Sequence, residues 1–182
     1  RLYREQPELE LYRRHLDNIR RRRAHILSKS EEKLLAAAGE MAQSPEQIYS
    51  MFDNADLKFQ PAADKDGELH PVTQGTYISC MESPDRVLRK NAFESYYASY
   101  DSFRNTVAGT LSSQVKQLEF FANARRYDTA LDASLDATNV PTSVYHNLIE
   151  AVHQNMDKMY RYVRLRRKLM GVDELHMYDI YT

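Results

Sequence analysis

Phe93, Tyr96, Tyr97, Tyr100, Phe103, Val107, Leu111, Val115, Leu118 and Ala122 recur mostly at steps of three and four. That spacing lines one side of an α-helix. Ser83-Pro84-Asp85, a cap, a proline and an acid, stands just before it. Carried to about Arg126, the pattern predicts a helix of about 40 residues, near 60 Å long at about 1.5 Å per residue, with Gly109 the expected bend. A chain built around such an element folds helix against helix. No period of 20–50 residues repeats, so the architecture expected is mainly α, an irregular bundle of long helices rather than a solenoid array.

The flanking sequence fills in this plan. Residues 7–52 read as helices, with Leu9, Tyr12, Leu16, Ile19, Ile26 and Leu27 in phase. Ser30 is expected to cap a second segment ending at Gly39, and Ser44-Pro45-Glu46 opens a short helix through about Phe52. Between 53 and 82 the period shortens. Leu57 and Phe59 alternate with Lys58 and Gln60, and Leu69, Val72, Tyr77 and Ile78 follow Asp66-Gly67, which predicts a small β-hairpin. Pro61 and Pro71 confine its strands to edges, and a lone hairpin needs helices or outside strands to lean on. Residues 83–171 carry the long helices. Asp128 is expected to cap a short one to about Ala137, and Gly171 to stop the last, which bears Tyr145, Leu148, Ile149, Val152, Met156, Met159, Tyr160 and Val163 in register.

Composition excludes more than it assigns. The 182 residues are 42% hydrophobic and 28% charged, with one cysteine and a net charge of −1. A chain of this size is expected to bury roughly 70% of its unfolded surface around its own core. Cys80 has no partner for an intrachain disulfide, which favours a reducing compartment. The balance of 25 Lys+Arg against 26 Asp+Glu gives no excess positive potential for nucleic acid, and the apolar runs are far too short for a membrane span. The start at Arg1 without a leader, and the apolar, aromatic close from Leu175 to Thr182, read as an excerpt of something longer.

Several clusters have the residue types of chemistry. His146, Glu150 and His153 gather on one helical face within about 60°. They lie away from that helix's apolar stripe and read as ordinary polar flank. Asp128, Asp132 and Asp136 form a column explained by a cap and a solvated face. Arg20–Arg23 spread over about 300° of helix and offer no flat face to a phosphate backbone. Arg161, Arg164, Arg166, Arg167 and Lys168 sit where a helix macrodipole favours cations. The tyrosine stripe reads as core, with a hydroxyl-lined groove as the alternative. None of the six histidines is followed by glutamate, so H-E-x-x-H is absent, as are G-x-S-x-G and any phosphate loop.

Four segments, in order, are similar to the amino-terminal region of the oligoendopeptidase F family of zinc peptidases, relatives of the thimet oligopeptidases. They are Asp53-Asn54-Ala55-Asp56-Leu57-Lys58-Phe59, Met81-Glu82-Ser83-Pro84-Asp85-Arg86, Leu148-Ile149-Glu150-Ala151-Val152-His153, and residues 168–179 from Lys168 to Asp179. The resemblance spans about residues 30–182 and rests on the combination, since no segment is a mechanistic motif. It implies a cytoplasmic, mostly helical peptidase with a deep channel, and a zinc held by two histidines of H-E-x-x-H and a later glutamate, all beyond these residues. It therefore implies no catalytic residue and no zinc ligand in this chain, His146, Glu150 and His153 included.

The expectation is a single amino-terminal, non-catalytic helical lobe over 1–182, with 172–182 leading toward the catalytic part. Its partners are that part and, for the parent, short peptides, with no nucleic acid and no membrane. His176, Tyr178, Asp179 and Tyr181 are the candidates for facing the channel or the neighbouring lobe. The alternatives are a free-standing helical interaction module binding through its tyrosine face, and a small metalloprotein using His146, Glu150 and His153.

Overall fold

The computed structural model describes residues 2–182, with side chains from Tyr3 onward. It is mainly helical with one two-stranded antiparallel sheet. In chain order the helices are α1 (Leu2–Glu5), α2 (Arg13–Arg22), α3 (Lys29–Ala42), α4 (Ser44–Met51), α5 (Tyr77–Met81), α6 (Arg86–Asp101), α7 (Arg104–Ala124), α8 (Ala130–Asp136), α9 (Thr142–His153) and α10 (Met156–Met170), with β1 (Ala62–Ala63) and β2 (Leu69–His70) between α4 and α5. The Cα packing separates two compact units. One takes the chain up to Pro45 together with Ser112–Thr142, the other Glu46–Leu111 together with Ser143–Thr182.

The first unit is joined mainly by polar contacts. Ser28, not Ser30, caps α3: its hydroxyl accepts from the Glu31 amide while the Glu31 carboxylate accepts from the Ser28 amide at 2.8 Å. The signal S-x-x-E stands in the sequence at 28–31. Arg125, just past α7, donates to both Glu32 oxygens at 2.8 and 3.0 Å, and His25 lies flat on Tyr127 at 3.7 Å. Leu35 and Ala122 are its buried apolar side chains among the described residues. Gly39 does not end α3, which runs on to Ala42.

The second unit holds the larger core. Ala62, Val72, Cys80, Leu88 and Ala92 form one buried cluster, and Tyr77, Met81 and Tyr178 another, with Phe59, Phe93 and Tyr96 packed around them. The hairpin is only two residues per strand, pairing Ala62 with His70 and Ala63 with Leu69. Pro61 and Pro71, opposite each other at the open end of the hairpin, stop the ladder there. The strand leans on α6, whose Asn91 donates to the Ala63 carbonyl at 2.7 Å and whose Ser95 donates to that of Gln60 at 2.5 Å. Tyr77 and Ile78 are helical rather than extended, because Thr73 and Thr76 cap each other's amides, at 2.9 and 3.1 Å, and start α5. Leu57 closes a π-turn over Phe52–Asp56 with its amide on the Phe52 carbonyl at 2.9 Å.

The single long helix divides at Ser102–Phe103, not at Gly109, which lies inside α7. The Ser99 and Ser102 hydroxyls donate back to the carbonyls of Ser95 and Ser99, at 3.1 and 2.7 Å, and compete with the helical ladder there. The last helix likewise breaks after His153, where the Asn155 side chain donates to the Ala151 carbonyl at 2.7 Å. Asp85 rather than Ser83 caps α6, accepting from the Val87 amide at 2.9 Å, and Thr129 rather than Asp128 caps α8.

Much of the apolar surface stays uncovered. The chain exposes 13997 Å² for 21.3 kDa. A compact monomer of that mass exposes about 9,100 Å², and two separate units dividing the same mass about 11,000 Å².

Candidate functional site

The residues singled out near the carboxyl end assemble with the start of α6. Arg86 and Arg89 are three residues apart and share a helix face. Arg86 donates to both Asp179 oxygens, at 3.1 and 2.9 Å, and to the Glu174 carbonyl at 2.9 Å. Arg89 is buried and donates to Asp179 Oδ1 at 2.9 Å, to the Tyr178 carbonyl at 3.0 Å, and to the Ser83 and Pro84 carbonyls at 2.8 and 3.2 Å. The His176 amide donates to the remaining side of the carboxylate at 3.0 Å, and Arg166 of α10 donates to the Asp179 carbonyl at 2.7 Å.

Asp179 has no exposed surface. Burial pushes its pKa up, but hydrogen bonds from Arg86, the His176 amide and Arg89 outweigh it and hold the carboxyl well below the usual carboxylate range. With both oxygens occupied, it organises the chain from 174 to 182 and has no lone pair left for a ligand. Tyr178 is buried against Tyr77 and Met81, His176 stacks on it at 4.9 Å, and Tyr181 is half exposed. Of the four candidates, His176 and Tyr181 keep a surface for another molecule.

The tyrosine stripe is only half-buried, with Tyr96 and Tyr100 packed against the core and Tyr97 half exposed. Tyr96 stacks on Phe59 at 4.7 Å and on Tyr77 at 4.2 Å, and Tyr100 donates to Asp53 Oδ1 at 2.6 Å. Burial first, then neighbouring acid or phenol groups, raises the pKa of Tyr77 and Tyr100, so both stay protonated donors. Beyond them an open hollow of about 630 Å³ is not a catalytic cleft: its lining includes Tyr97, Tyr100, Val107 and Leu111, together with the Asp101–Arg104 ion pair.

The other clusters are not brought together. His146, Glu150 and His153 are exposed, and Glu150 accepts from Gln154 at 2.8 Å. The aspartate column is dispersed: Asp132 accepts from Thr129, and Asp136 pairs with Arg21 and Arg22. A different group meets across the hairpin turn, where Asp64, Glu68 and His70 place ligand-type atoms within 4.8 Å of one another. Its signal in the sequence was Asp64-Lys65-Asp66-Gly67-Glu68, a turn with Gly67 at φ 84°. Asp64 is occupied there, accepting from the Asp66 and Glu68 amides at 2.9 Å and facing His70 Nε2 at 3.0 Å, and these contacts lower its pKa. This group has the composition of a turn, and without H-E-x-x-H the chain's residues do not fit a catalytic zinc.

Comparison with known proteins supplies the affiliation. A family model described as "Oligopeptidase F" matches residues 1–59, and one described as "Peptidase family M3" matches residues 79–182. The chain belongs to peptidase family M3. Oligopeptidase PepF of Bacillus subtilis is 39% identical over 178 residues, covering 98% of this chain and 27% of that protein. An oligoendopeptidase F homologue of Lactococcus lactis is 42% identical, covering 98% of this chain and 30% of its own length. The crystal structure of oligoendopeptidase-F from Enterococcus faecium superposes with a TM-score of 0.91 at 40% identity, over 99% of this chain and 34% of that one. The M3 chain described here thus spans about a third of the length of its relatives, and the resemblance drawn from its four segments holds over nearly all of it.

Proposed function

We propose that the chain is the non-catalytic amino-terminal lobe of a cytoplasmic, zinc-dependent oligopeptidase that hydrolyses short peptides. In this reading the lobe helps wall the channel through which unfolded peptides reach the metal. The zinc, when bound by the rest of the enzyme, activates water and polarises the scissile carbonyl. The present residues exclude bulk and position neighbours, and none of them takes part in the bond-breaking step.

The observation that carries the reading is the exposed surface. It exceeds that of two self-contained units by about 3,000 Å², an amount found in obligate interfaces and beyond the ~800 Å² per partner of a standard complex. A self-sufficient interaction module has no need of so much uncovered area. The relatives' threefold length provides the chain that would cover it. Among the described residues no helix is long and apolar enough to cross a membrane.

The test is made on the parent and on the chain alone. Deleting residues 1–182 from the parent should abolish cleavage of a bradykinin-sized peptide or let larger substrates in. The isolated chain should show no chelator-sensitive hydrolysis. Unchanged rates and size limits after deletion overturn the channel role.

A further inference from the structure

The second unit leaves apolar side chains open on several elements, and on α9 they form one continuous stripe. Val144, Tyr145, Leu148, Ile149 and Val152 fall within about 140° of its circumference at 100° per residue. They are 39–65% exposed, and no residue of α9 is buried. His146, Glu150 and His153 occupy the other side, and Thr142–His153 contains neither lysine nor arginine. A helix of this length is marginal alone in water and draws its stability from covering just such a stripe.

We propose that this stripe of α9 is a docking surface, and that its occupant is an apolar, uncharged face of the remaining two thirds of the same polypeptide. The proposal rests on the reading of the chain as one lobe of a longer peptidase. Three observations select that occupant. The excess surface of the whole chain, of which the α9 stripe is one part, is several times what a transient partner or a standard dimer buries per chain. The fold matches, over 99% of this chain, a solved structure about three times as long, so the same arrangement of helices exists where more chain is present. The absence of cations on α9 gives an anionic lipid surface or a nucleic acid nothing to hold.

Thiol labelling tests this without using enzymatic activity. Leu148→Cys, with Ile149→Cys as a second probe on the stripe, and His146→Cys on the opposite side are each made in the 182-residue chain and in the full-length polypeptide. Circular dichroism establishes that helix content is kept. The native Cys80 is buried, and its slow rate is subtracted using the unsubstituted proteins. Maleimide should modify Leu148→Cys at least about tenfold more slowly in the full-length protein than in the short chain, and His146→Cys within about twofold in both, as expected for one covered face. Equal reactivity of Leu148→Cys in the two proteins overturns the proposal. So does slowing in the short chain as its concentration rises, which identifies a second copy, or equal protection of His146→Cys, which denies a one-sided contact. A full-length protein that labels as expected yet cleaves no peptide retires the peptidase reading alone. One that cleaves peptides with Leu148→Cys open retires the docking surface alone.

Discussion

Asp179 shows how one carboxylate organises a segment distant in sequence. It is paired with two guanidinium groups 93 and 90 residues away. Removing one member of such a buried set leaves charge uncompensated, so Asp179→Asn should destabilise the chain by about 3–5 kcal/mol in urea melts at pH 7. The pH dependence has a definite sign. A folded pKa held below the unfolded value of about 3.9 means the stabilisation is fully present above that pH and drains away as pH falls toward the folded value. The gap between wild type and Asp179→Asn should therefore be constant from pH 7 to about 5 and narrow below about 4. Asp179 was legible as a residue of interest only through its place in a dense terminal segment. Its burial was not, because nothing in the spacing of 172–182 names Arg86 and Arg89 as partners.

At the level of elements, three helices end in the same turn with three different residues at the left-handed position. Tyr127 N donates to Ala122 O, Val140 N to Leu135 O and Val172 N to Arg167 O, at 3.0, 3.2 and 3.3 Å. At these three turns the residues with positive φ are Arg126 at 63°, Asn139 at 56° and Gly171 at 64°. This is the Schellman arrangement, and only glycine enters it freely. Gly171→Ala should cost about 1 kcal/mol, whereas Arg126→Gly should be neutral or stabilise by up to about 1 kcal/mol, read from urea midpoints. Gly171 was readable from sequence for this reason. Arg126 and Asn139 were not, since their cost is met by the hydrogen bonds of the turn. The helix breaks at Ser102 and Asn155 were missed on the same ground: apolar periodicity runs through both, and the interruption comes from polar side chains bonding back to the ladder. The strand signal at Tyr77 and Ile78 yielded to a threonine pair for a related reason.

For the whole molecule, composition predicted a protein able to cover itself, and the structure shows one that is not. Its exposed area leaves only about 55% of the unfolded surface buried, where a compact chain of this length buries about 70%. The urea m-value of the isolated chain should then be about three-quarters of that of a compact 182-residue protein, measured by circular dichroism. Apolar content and periodicity specify which face of a helix wants burial, but they are silent on whether the covering face belongs to the same 182 residues. The helical class was therefore legible from periodicity, whereas the reading of the chain as part of something longer came from its terminal segment and its resemblance to a family, not from composition.

The Asp179 contacts also bear on how the polypeptide would behave once its backbone is severed. A protease nick at the Asn139–Pro141 connection would leave a piece carrying Arg86 and Arg89 and a piece carrying Asp179, tied by charge-assisted hydrogen bonds and a shared aromatic cluster. The two should migrate together on a native gel and separate only in denaturant.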